Sequence, residues 1–408
     1  MTDKKEKQHC RVLLVVAREA PRPTQLANGE LPRVPPCEAL DMAGNLLDLG
    51  AEVRVIDQHG EKLPDRVVRR EARLWRANIV LIWAGGSPHA DNPHPDVSGL
   101  ARLLGGWIEK SRIIICGPLA TRYGSELVSR FSIVEGALSG GAGTELIERQ
   151  AGEVIPGLCR LVDGLVQIDQ GLPTLPNEAP MTPWHLVPLE CYPTLSGWRR
   201  RIELVAGPDP STALKRVAHA IRRGGAGFVS FLDRDLAKDE TALDELCRGM
   251  RTVTCGIPWV CRVRSDHLTS QLAVSLMLAG CQEVRLAAPG GWDDVAHAPM
   301  DDPDRARLSR GVDVVRATGM SPVVEYVVGR PGHSLDILSA WRRWIADRHI
   351  AILPVVRVLH AGDRGEGEPI LDEAHARAGC WDNELKPRDV ERAVRVLRSG
   401  KASASELL

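Results

Sequence analysis

The chain has 408 residues, of which 44% are hydrophobic and 26% charged, which is typical of globular proteins rather than disordered or fibrous ones. At about 150 residues per domain, this length predicts two or three domains. The net charge of -1 gives no electrostatic reason to expect nucleic-acid or membrane partners. No apolar run approaches the ~18 residues of a membrane span or forms a secretory signal. We therefore expect a cytoplasmic protein.

The first half of the chain predicts alternating strands and helices. Short apolar runs rich in β-branched residues indicate buried parallel strands at 10–17, 51–57, 78–84, 112–117 and 132–137. Helical spacing of apolar residues indicates helices at 37–49, 67–76, 96–110, 121–131 and 144–150. Five strands with intervening helices predict an α/β fold with a Rossmann-like, doubly wound parallel sheet.

Three loops follow strands of this sheet at their carboxyl ends, where such sheets bind ligands. Small residues there let the backbone approach a flat ligand, and the last loop leads into a helix N-terminus, which favours an anionic or amide-bearing group. The alternative is that the glycines only turn the chain. The predicted cofactor-binding residues are Gly85, Gly86, Ser87, Pro88, His89, Gly117, Pro118, Leu119, Ser139, Gly140, Gly141 and Thr144.

Residues 172–193 hold six prolines, which excludes a helix or central strand and predicts an extended linker between domains. Beyond the linker, strands are predicted at 202–206, 227–232, 259–264, 283–288, 323–328 and 350–358. Helices are predicted between them at 211–223, 240–251, 269–279, 304–318 and 335–347, with a last helix at 388–397. Six β/α units suggest a partial barrel, whose chemistry belongs at the carboxyl ends of its strands.

The ten cysteines form no local motif, because CxxC, CxxxC and CxxxCxxC are all absent. This spacing excludes local zinc knuckles and the usual local iron–sulfur loops. A disulfide framework is not expected in a cytoplasmic chain of this size. The closest group is Cys247, Cys255 and Cys261, for which buried packing is favoured over metal binding.

Several short motifs occur in the order and spacing of one known family. They are the proline pair at 35–36 followed by a helix and AEVRVID, GPLAT at 117–121, LSGGAGTELIE at 138–148, IPGL at 155–158 before a hairpin, FLDRD at 231–235, the strand 259–264 followed by Asp266, AGC at 279–281, and VGRPG at 328–332. Over nearly the whole chain, this pattern resembles the cobalamin-binding radical SAM family.

The resemblance implies four segments. A cobalamin-binding Rossmann-like domain occupies 1–171, a proline-rich linker 172–198, a partial (β/α)6 TIM-like barrel 199–375, and a C-terminal helix and tail 376–408. The three loops of the first domain then contact the corrin. His89 is a candidate axial ligand of cobalt, with His94, His59 and Cys37 as alternatives, and the family often leaves that face of the corrin without a protein ligand.

The chain departs from the family where the family binds its cluster. The family has CxxxCxxC after the first barrel strand, which holds a [4Fe–4S] cluster and SAM. Here Ala206 is followed by GPDPST, which leads directly into a helix without a cysteine. Pro289 stands where the family has a SAM-site glutamate, and His333 replaces another. Because a [4Fe–4S] cluster needs its thiolates, we expect a degenerate member without the cluster, and leave SAM binding open.

The predicted catalytic residues are the charged ones on or beside barrel strands, Asp233, Arg262, Arg264 and Glu325, with a structural ion-pair network as the alternative. The function expected is a methyltransferase-type reaction on a small molecule, using a corrin-bound methyl group without radical SAM cleavage. One alternative is a catalytically silent cobalamin-binding partner that stabilises an intact homologue. Another is a new cluster-free reaction. The resemblance also suggests a bacterial specialised metabolism and a homologous or homo-oligomeric partner.

Overall fold

The computed structural model describes residues 10–18, 34–85, 97–107, 111–175, 181–192, 194–195, 199–287, 302–328, 343–344, 347–348 and 351–356. The chain forms two compact units, and the main division in the sequence falls between Cys191 and Tyr192. No helix in the described part is long and apolar enough to cross a membrane.

The first unit is built on a seven-stranded sheet in the order β2-β1-β3-β4-β5-β6-β7. Strands β1 to β5 are parallel, and β6 and β7 are antiparallel. The strands are β1 Arg11–Val16, β2 Glu52–Asp57, β3 Ile79–Trp83, β4 Arg112–Cys116, β5 Gly136–Leu138, β6 Leu158–Val162 and β7 Leu165–Ile168. The five predicted parallel strands and the predicted hairpin are confirmed.

The helices of the first unit connect these strands in doubly wound fashion. They are α1 Cys37–Asp48, α2 Asp65–Trp75, α3 Val97–Leu104, α4 Pro118–Arg130 and α5 Thr144–Glu148. Because the strand order reverses between β1 and β3, right-handed crossovers place α1 on one face and α2, α3 and α4 on the other. Strands β3 and β4 are almost entirely apolar and buried, as a sheet covered on both faces requires.

Two elements of the first unit are shorter than the sequence predicts. Helix α3 ends at Leu104 because Gly105 and Gly106 follow it, and two consecutive glycines lower helix stability. Strand β5 begins only at Gly136, since residues 131–135 form a turn in which the Val134 amide donates to the Phe131 carbonyl.

The described part of the predicted linker is folded rather than extended. Two 3-10 turns occur at Trp184–Leu186 and Leu189–Cys191. Trp184 is buried, and the Thr182 hydroxyl donates to the Asp41 carboxylate of α1 at 2.6 Å. Prolines excluded regular helix here, as predicted, but apolar side chains between them still pack.

The second unit contains a seven-stranded sheet whose strands follow the chain order from β8 to β14. They are β8 Thr194–Leu195, β9 Arg199–Leu204, β10 Ala226–Phe231, β11 Trp259–Arg264, β12 Cys281–Ala287, β13 Ser321–Val328 and β14 Ala351–Val356. Strands β9 to β14 are parallel as predicted, and β8 is an additional antiparallel strand. Sequential order is that of consecutive strands in a (β/α) barrel.

Helices of the second unit are α6 Pro210–Gly224, α7 Glu240–Val253, α8 Ser270–Leu278 and α9 Asp302–Ala317. The side chains of Asp209, Asp239 and Thr269 cap the first three at their N-termini. Right-handed crossovers in a sequential sheet place all helices on one face. The predicted helix at 388–397 and most of that at 335–347 lie outside the described residues.

Candidate functional site

The carboxyl edge of the first sheet presents three glycines at adjacent strand ends. Gly85 after β3, Gly117 after β4 and Gly140 after β5 have φ angles of 97°, 86° and 98°. These values suit glycine, because a Cβ atom is strained in this region of backbone space. Backbone without side chains therefore lines this edge, at the three positions where the sequence predicts a cofactor.

The turn at Gly117 is packed against the neighbouring strand. A Cβ atom on Gly117 would lie 3.0 Å from the Trp83 ring and 3.1 Å from the Ala84 carbonyl oxygen. The Leu119 amide donates to the same carbonyl at 3.0 Å. Gly117 is buried, as are Pro118 and Leu119, which begin α4, so packing within the unit fixes the shape of this turn.

The loop after β5 is open in one half and filled in the other. Ser139 and Gly140 are exposed, and a Cβ atom on Gly140 would meet no atom within 4 Å. Gly141 packs against Leu175, and the Thr144 amide donates to the Thr174 carbonyl at 3.1 Å. The first amide of α5, expected to face an anionic or amide-bearing group, is therefore used by the chain itself.

The predicted cobalt ligand His89 lies outside the described residues, as do Gly86, Ser87, Pro88 and His94. Of the alternative ligands, Cys37 is buried at the start of α1, and its thiol contacts the Pro35 carbonyl at 3.3 Å. His59 stands in a turn that the Asp57 carboxylate closes by accepting the Gly60 amide at 2.8 Å.

At the carboxyl edge of the second sheet, Asp233 fastens a loop. Its carboxylate accepts the backbone amides of Ala206 at 2.7 Å and Gly207 at 3.0 Å. These two residues follow β9. Asp233 therefore closes a short cysteine-free connection between β9 and α6.

Two of the predicted catalytic residues meet on a face of the second sheet. Arg262 of β11 donates to Glu325 of β13 at 2.9 Å, and their side chains are 6% and 0% exposed. Arg285 of β12 lies between them, 3.8 Å from Glu325 and 3.0 Å from Glu283. Burial lowers the pKa of Arg285, but the Glu283 and Glu325 carboxylates outweigh it and raise that pKa.

One oxygen of this buried group lacks a partner among the described residues. Oε1 of Glu325 accepts both ion-pair contacts, whereas Oε2 has no hydrogen bond. Buried carboxylate oxygens are nearly always hydrogen-bonded, to protein or to water. This oxygen is therefore an unsatisfied polar atom of the buried charge group in the described part of the chain.

Arg264 does not join this group. It makes two hydrogen bonds with Asp266, at 3.0 and 2.9 Å, at the exposed end of β11. The hydrogen bond from Arg264 lowers the pKa of the Asp266 carboxyl. The four predicted catalytic residues thus fall into three separate arrangements.

The structure also brings together a pair that the sequence did not reveal. Nδ1 of His267, after β11, lies 2.5 Å from Oδ2 of Asp235, after β10. Both residues stand at the carboxyl edge of adjacent parallel strands. The available signal was an aspartate and a histidine, each three residues past the end of a predicted strand; the residues predicted instead lie within the strands or directly beside them.

The cysteines of the second unit lie mainly in its core. Cys261 and Cys281 are buried on adjacent strands with their sulfurs 3.9 Å apart, and burial raises the pKa of nearby Cys247 to about 12. Cys255 is exposed. No three histidine, cysteine or acidic side chains in the described part are grouped to hold a metal.

A cavity of about 740 Å³ in the first unit lies at the opposite edge of its sheet, beside the amino ends of β1, β3 and β4. Its lining includes Cys10, Arg76 and Arg112. The Arg112 guanidinium is already paired with Glu135 at 2.7 and 2.8 Å. This cavity therefore lies away from the glycine edge.

No protein-family model and no curated protein matches the chain, but solved structures share its fold. One is the radical SAM methyltransferase TsrM from Kitasatospora setae, with cobalamin and a [4Fe–4S] cluster bound: TM-score 0.58, 15% identity, covering 83% of this chain and 70% of TsrM. Another is the cobalamin-dependent radical SAM enzyme OxsB with aqua-cobalamin bound: TM-score 0.62, 12% identity, covering 90% of this chain and 55% of OxsB. The chain thus spans just over half of OxsB. The resemblance predicted from sequence is confirmed for the fold.

Proposed function

We propose that the chain binds cobalamin in its first unit and serves methyl transfer without a [4Fe–4S] cluster. The observation that carries this proposal is the row of positive-φ glycines, Gly85, Gly117 and Gly140, in a fold shared with two cobalamin-bound structures. A corrin is broad, and its peripheral groups are amides, which side-chain-free backbone is suited to approach.

The residues present fit such a cofactor in part of the edge. The backbone at Gly85, Gly117, Ser139 and Gly140 would hold it, with open space beside Gly140. Gly141, Pro118, Leu119 and Thr144 support this backbone through packing and hydrogen bonds. Residues 86–89 complete the proposed contacts, with His89 as the candidate axial ligand. When bound, cobalamin supplies a carrier for a methyl group.

The absence of a cluster loop supports the cluster-free part of the proposal. Residues 205–209 contain no cysteine, and Asp233 ties the amides of Ala206 and Gly207 to the next strand end. Three thiolates are needed to hold a [4Fe–4S] cluster with one open iron.

Corrin retention tests the binding site directly. The full chain is incubated with hydroxocobalamin, desalted, and its visible spectrum recorded; stoichiometric corrin is expected. Gly140→Ala should lower corrin affinity by about tenfold or more, since a side chain then occupies the open edge. Gly152→Ala is the matched control, because Gly152 has a similar φ of 88°, also with no atom within 4 Å of its Cβ position, in a loop at the other edge. Absence of corrin from the wild type contradicts the proposal.

Iron and sulfide analysis tests the cluster-free part. After anaerobic reconstitution with iron and sulfide, the desalted chain should hold neither in stoichiometric amount. Four irons and four sulfides per chain, with the charge-transfer absorption of a cluster, would show that distant cysteines assemble one.

A silent stabilising partner is the second candidate, favoured by one specific observation. Arg262 and Glu325 pair with each other, and Asp233 fastens a loop, as residues in a structural role do. Mixing the chain with a cluster-bearing homologue and measuring mass by light scattering tests this candidate. A stoichiometric complex supports it, and two unassociated proteins count against it.

A further inference from the structure

We propose that His267 and Asp235 form an acid–base pair at the carboxyl edge of the second sheet. The pair takes a proton from an N–H, O–H or S–H group of a bound small molecule. The identity of that molecule as a methyl acceptor rests on the proposed function, whereas the proton transfer itself does not. Catalytic residues of (β/α) folds stand at this edge, on the loops that follow the strands.

The hydrogen bond fixes which ring nitrogen carries a proton. Oδ2 of Asp235 lies 2.5 Å from Nδ1 of His267, and an ionised carboxylate only accepts hydrogen bonds. Nδ1 must therefore carry the proton, so that a neutral ring presents its lone pair on Nε2. This is the arrangement in which a carboxylate orients a histidine base in other enzymes.

Backbone groups from two loops hold the carboxylate. Oδ1 of Asp235 accepts the Ala237 amide at 3.2 Å, from its own loop, and the Arg264 amide at 3.1 Å, from the end of β11. The His267 amide donates to the Arg264 carbonyl at 3.1 Å. Both members of the pair are therefore positioned by main chain, which keeps the ring in one orientation.

Exposure and charge agree with a proton acceptor. The His267 side chain is 39% exposed and that of Asp235 is 11% exposed, so the ring reaches solvent while its partner is covered. Asp266 lies close enough for the His267 charge to contribute to lowering its pKa, after the larger effect of Arg264. The Asp235 carboxylate is the anion that hydrogen-bonds the ring directly. Arg264 is already engaged by Asp266.

The proposed step moves one proton. The X–H bond of the acceptor breaks, where X is nitrogen, oxygen or sulfur, and its electron pair stays on X. The proton forms a bond with Nε2 of His267, and Nδ1 keeps its proton in the hydrogen bond to Asp235. The acceptor atom is left with the pair that a nucleophile needs.

Replacing Asp235 by asparagine tests whether its carboxylate sets the protonation of the His267 ring. In Asp235→Asn, the two backbone amides require the side-chain oxygen on their side, because two donors cannot face each other. The NH₂ group then faces His267 and donates to Nδ1, which moves the ring proton to Nε2. If the Asp235 carboxylate does not set the His267 tautomer, Asp235→Asn leaves Nε2 reactivity unchanged or raises it, since the ring becomes freer.

Acylation by diethyl pyrocarbonate, followed by peptide mass spectrometry on the full chain at neutral pH, reports the Nε2 lone pair. In the wild type, His267 should react faster than the exposed His185, for which no ion pair is described. Asp235→Asn should slow His267 by about tenfold, since the lone pair has moved to Nδ1. Asp266→Asn is the matched control in the same loop and should change the His267 rate by less than about twofold.

Nitrogen NMR shifts of the His267 ring give a second measurement, with protonation at Nδ1 expected in the wild type and at Nε2 in Asp235→Asn. Unchanged labelling and an unchanged tautomer in folded Asp235→Asn overturn the proposal. Corrin retention is measured on the same preparations. Normal retention with a failed labelling result rejects only the acid–base pair, and failed retention with the expected labelling rejects only the cobalamin proposal.

Discussion

The carboxyl edges of the two sheets present different chemical groups. In the first sheet, three adjacent strands end in Gly85, Gly117 and Gly140. In the second, β10 and β11 are followed by Asp233, Asp235 and His267. The same kind of parallel-strand edge thus offers main chain in one unit and ionisable side chains in the other. The first suits close approach of a large neutral group, and the second suits proton transfer and the fastening of loops.

The interiors of the two sheets differ for a related reason. Strands β3 and β4 are apolar on both faces, because a doubly wound sheet is covered by helices on both sides. The sequential second sheet has its helices on one face. On β11, Trp259 and Cys261 lie on the face opposite to Arg262. The Trp259 ring nitrogen donates to the Ala279 carbonyl at the end of α8. Arg262, on the other face, pairs with Glu325. Charged side chains in the second sheet therefore lie on the face that the helices do not cover.

The largest expected effect on stability comes from breaking the buried Arg262–Glu325 ion pair of the second sheet. Glu325→Ala leaves the buried Arg262 without its carboxylate and should lower the free energy of unfolding by about 3–5 kcal/mol. Urea denaturation followed by tryptophan fluorescence measures it. Arg248→Ala removes an exposed pair with Asp244 in the same unit and should cost below about 0.5 kcal/mol. Equal losses in the two variants would contradict the burial of the Arg262–Glu325 pair.

The next effect concerns a loop at the second edge. Asp233→Ala leaves the amides of Ala206 and Gly207 unpaired and should cost about 1–3 kcal/mol in the same denaturation experiment. Hydrogen exchange at these two amides should accelerate. Asp313→Ala, an exposed aspartate on α9, is the control and should stay within about 0.5 kcal/mol of the wild type. If Asp233→Ala matches that control, the aspartate does not fasten the loop.

An effect of similar size concerns the first edge. Gly117→Ala places a Cβ atom 3.0 Å from the Trp83 ring in a backbone conformation that disfavours alanine. The expected loss is about 1–3 kcal/mol. Gly152→Ala has similar backbone strain in open space and should lose about 1 kcal/mol. The difference between the two variants measures the packing of the turn, and no difference would mean that the Trp83 ring moves aside.

The smallest effect depends on pH and lies at the end of β2. Burial raises the pKa of Glu61 above its ordinary value of 4.5, and the Asp57 and Glu190 carboxylates add to this. The folded chain therefore holds this proton more tightly than the unfolded chain, so stability falls as pH rises through this range. Glu61→Gln should stabilise the protein above that range, by below about 0.5 kcal/mol because the group is partly solvated. A thermal-melting series between pH 4 and 7 tests it, and a gain independent of pH would contradict this cause.

Much of the fold was predictable because strands such as β3 and β4 are short apolar runs bounded by turns. The glycine positions of the first edge were predictable for the same reason, since they follow those runs. The boundaries of α3 and β5 were not, because flanking glycines and a turn decided them. The additional strand β8, only two residues long, carries no periodicity that a sequence could reveal.

At the second edge, the charged residues could be predicted from the sequence, but their partners could not. Asp233 and Arg262 were identified as charged residues near strand ends, but their partners depend on register between strands. Arg262 meets Glu325 across β12, 63 positions away in the chain. His267 and Asp235 are 32 positions apart and approach only because β10 and β11 are neighbours. No local pattern encodes such distances.

The carboxylate of Asp233 has a consequence for engineering this scaffold. Grafting a longer cysteine-bearing loop between Leu204 and Asp209 would displace the Ala206 and Gly207 amides from that carboxylate. It would also shift Asp209, whose side chain caps α6. Introducing three cysteines alone would therefore not create a cluster site, and a transplanted loop would have to bring a new partner for Asp233 with it.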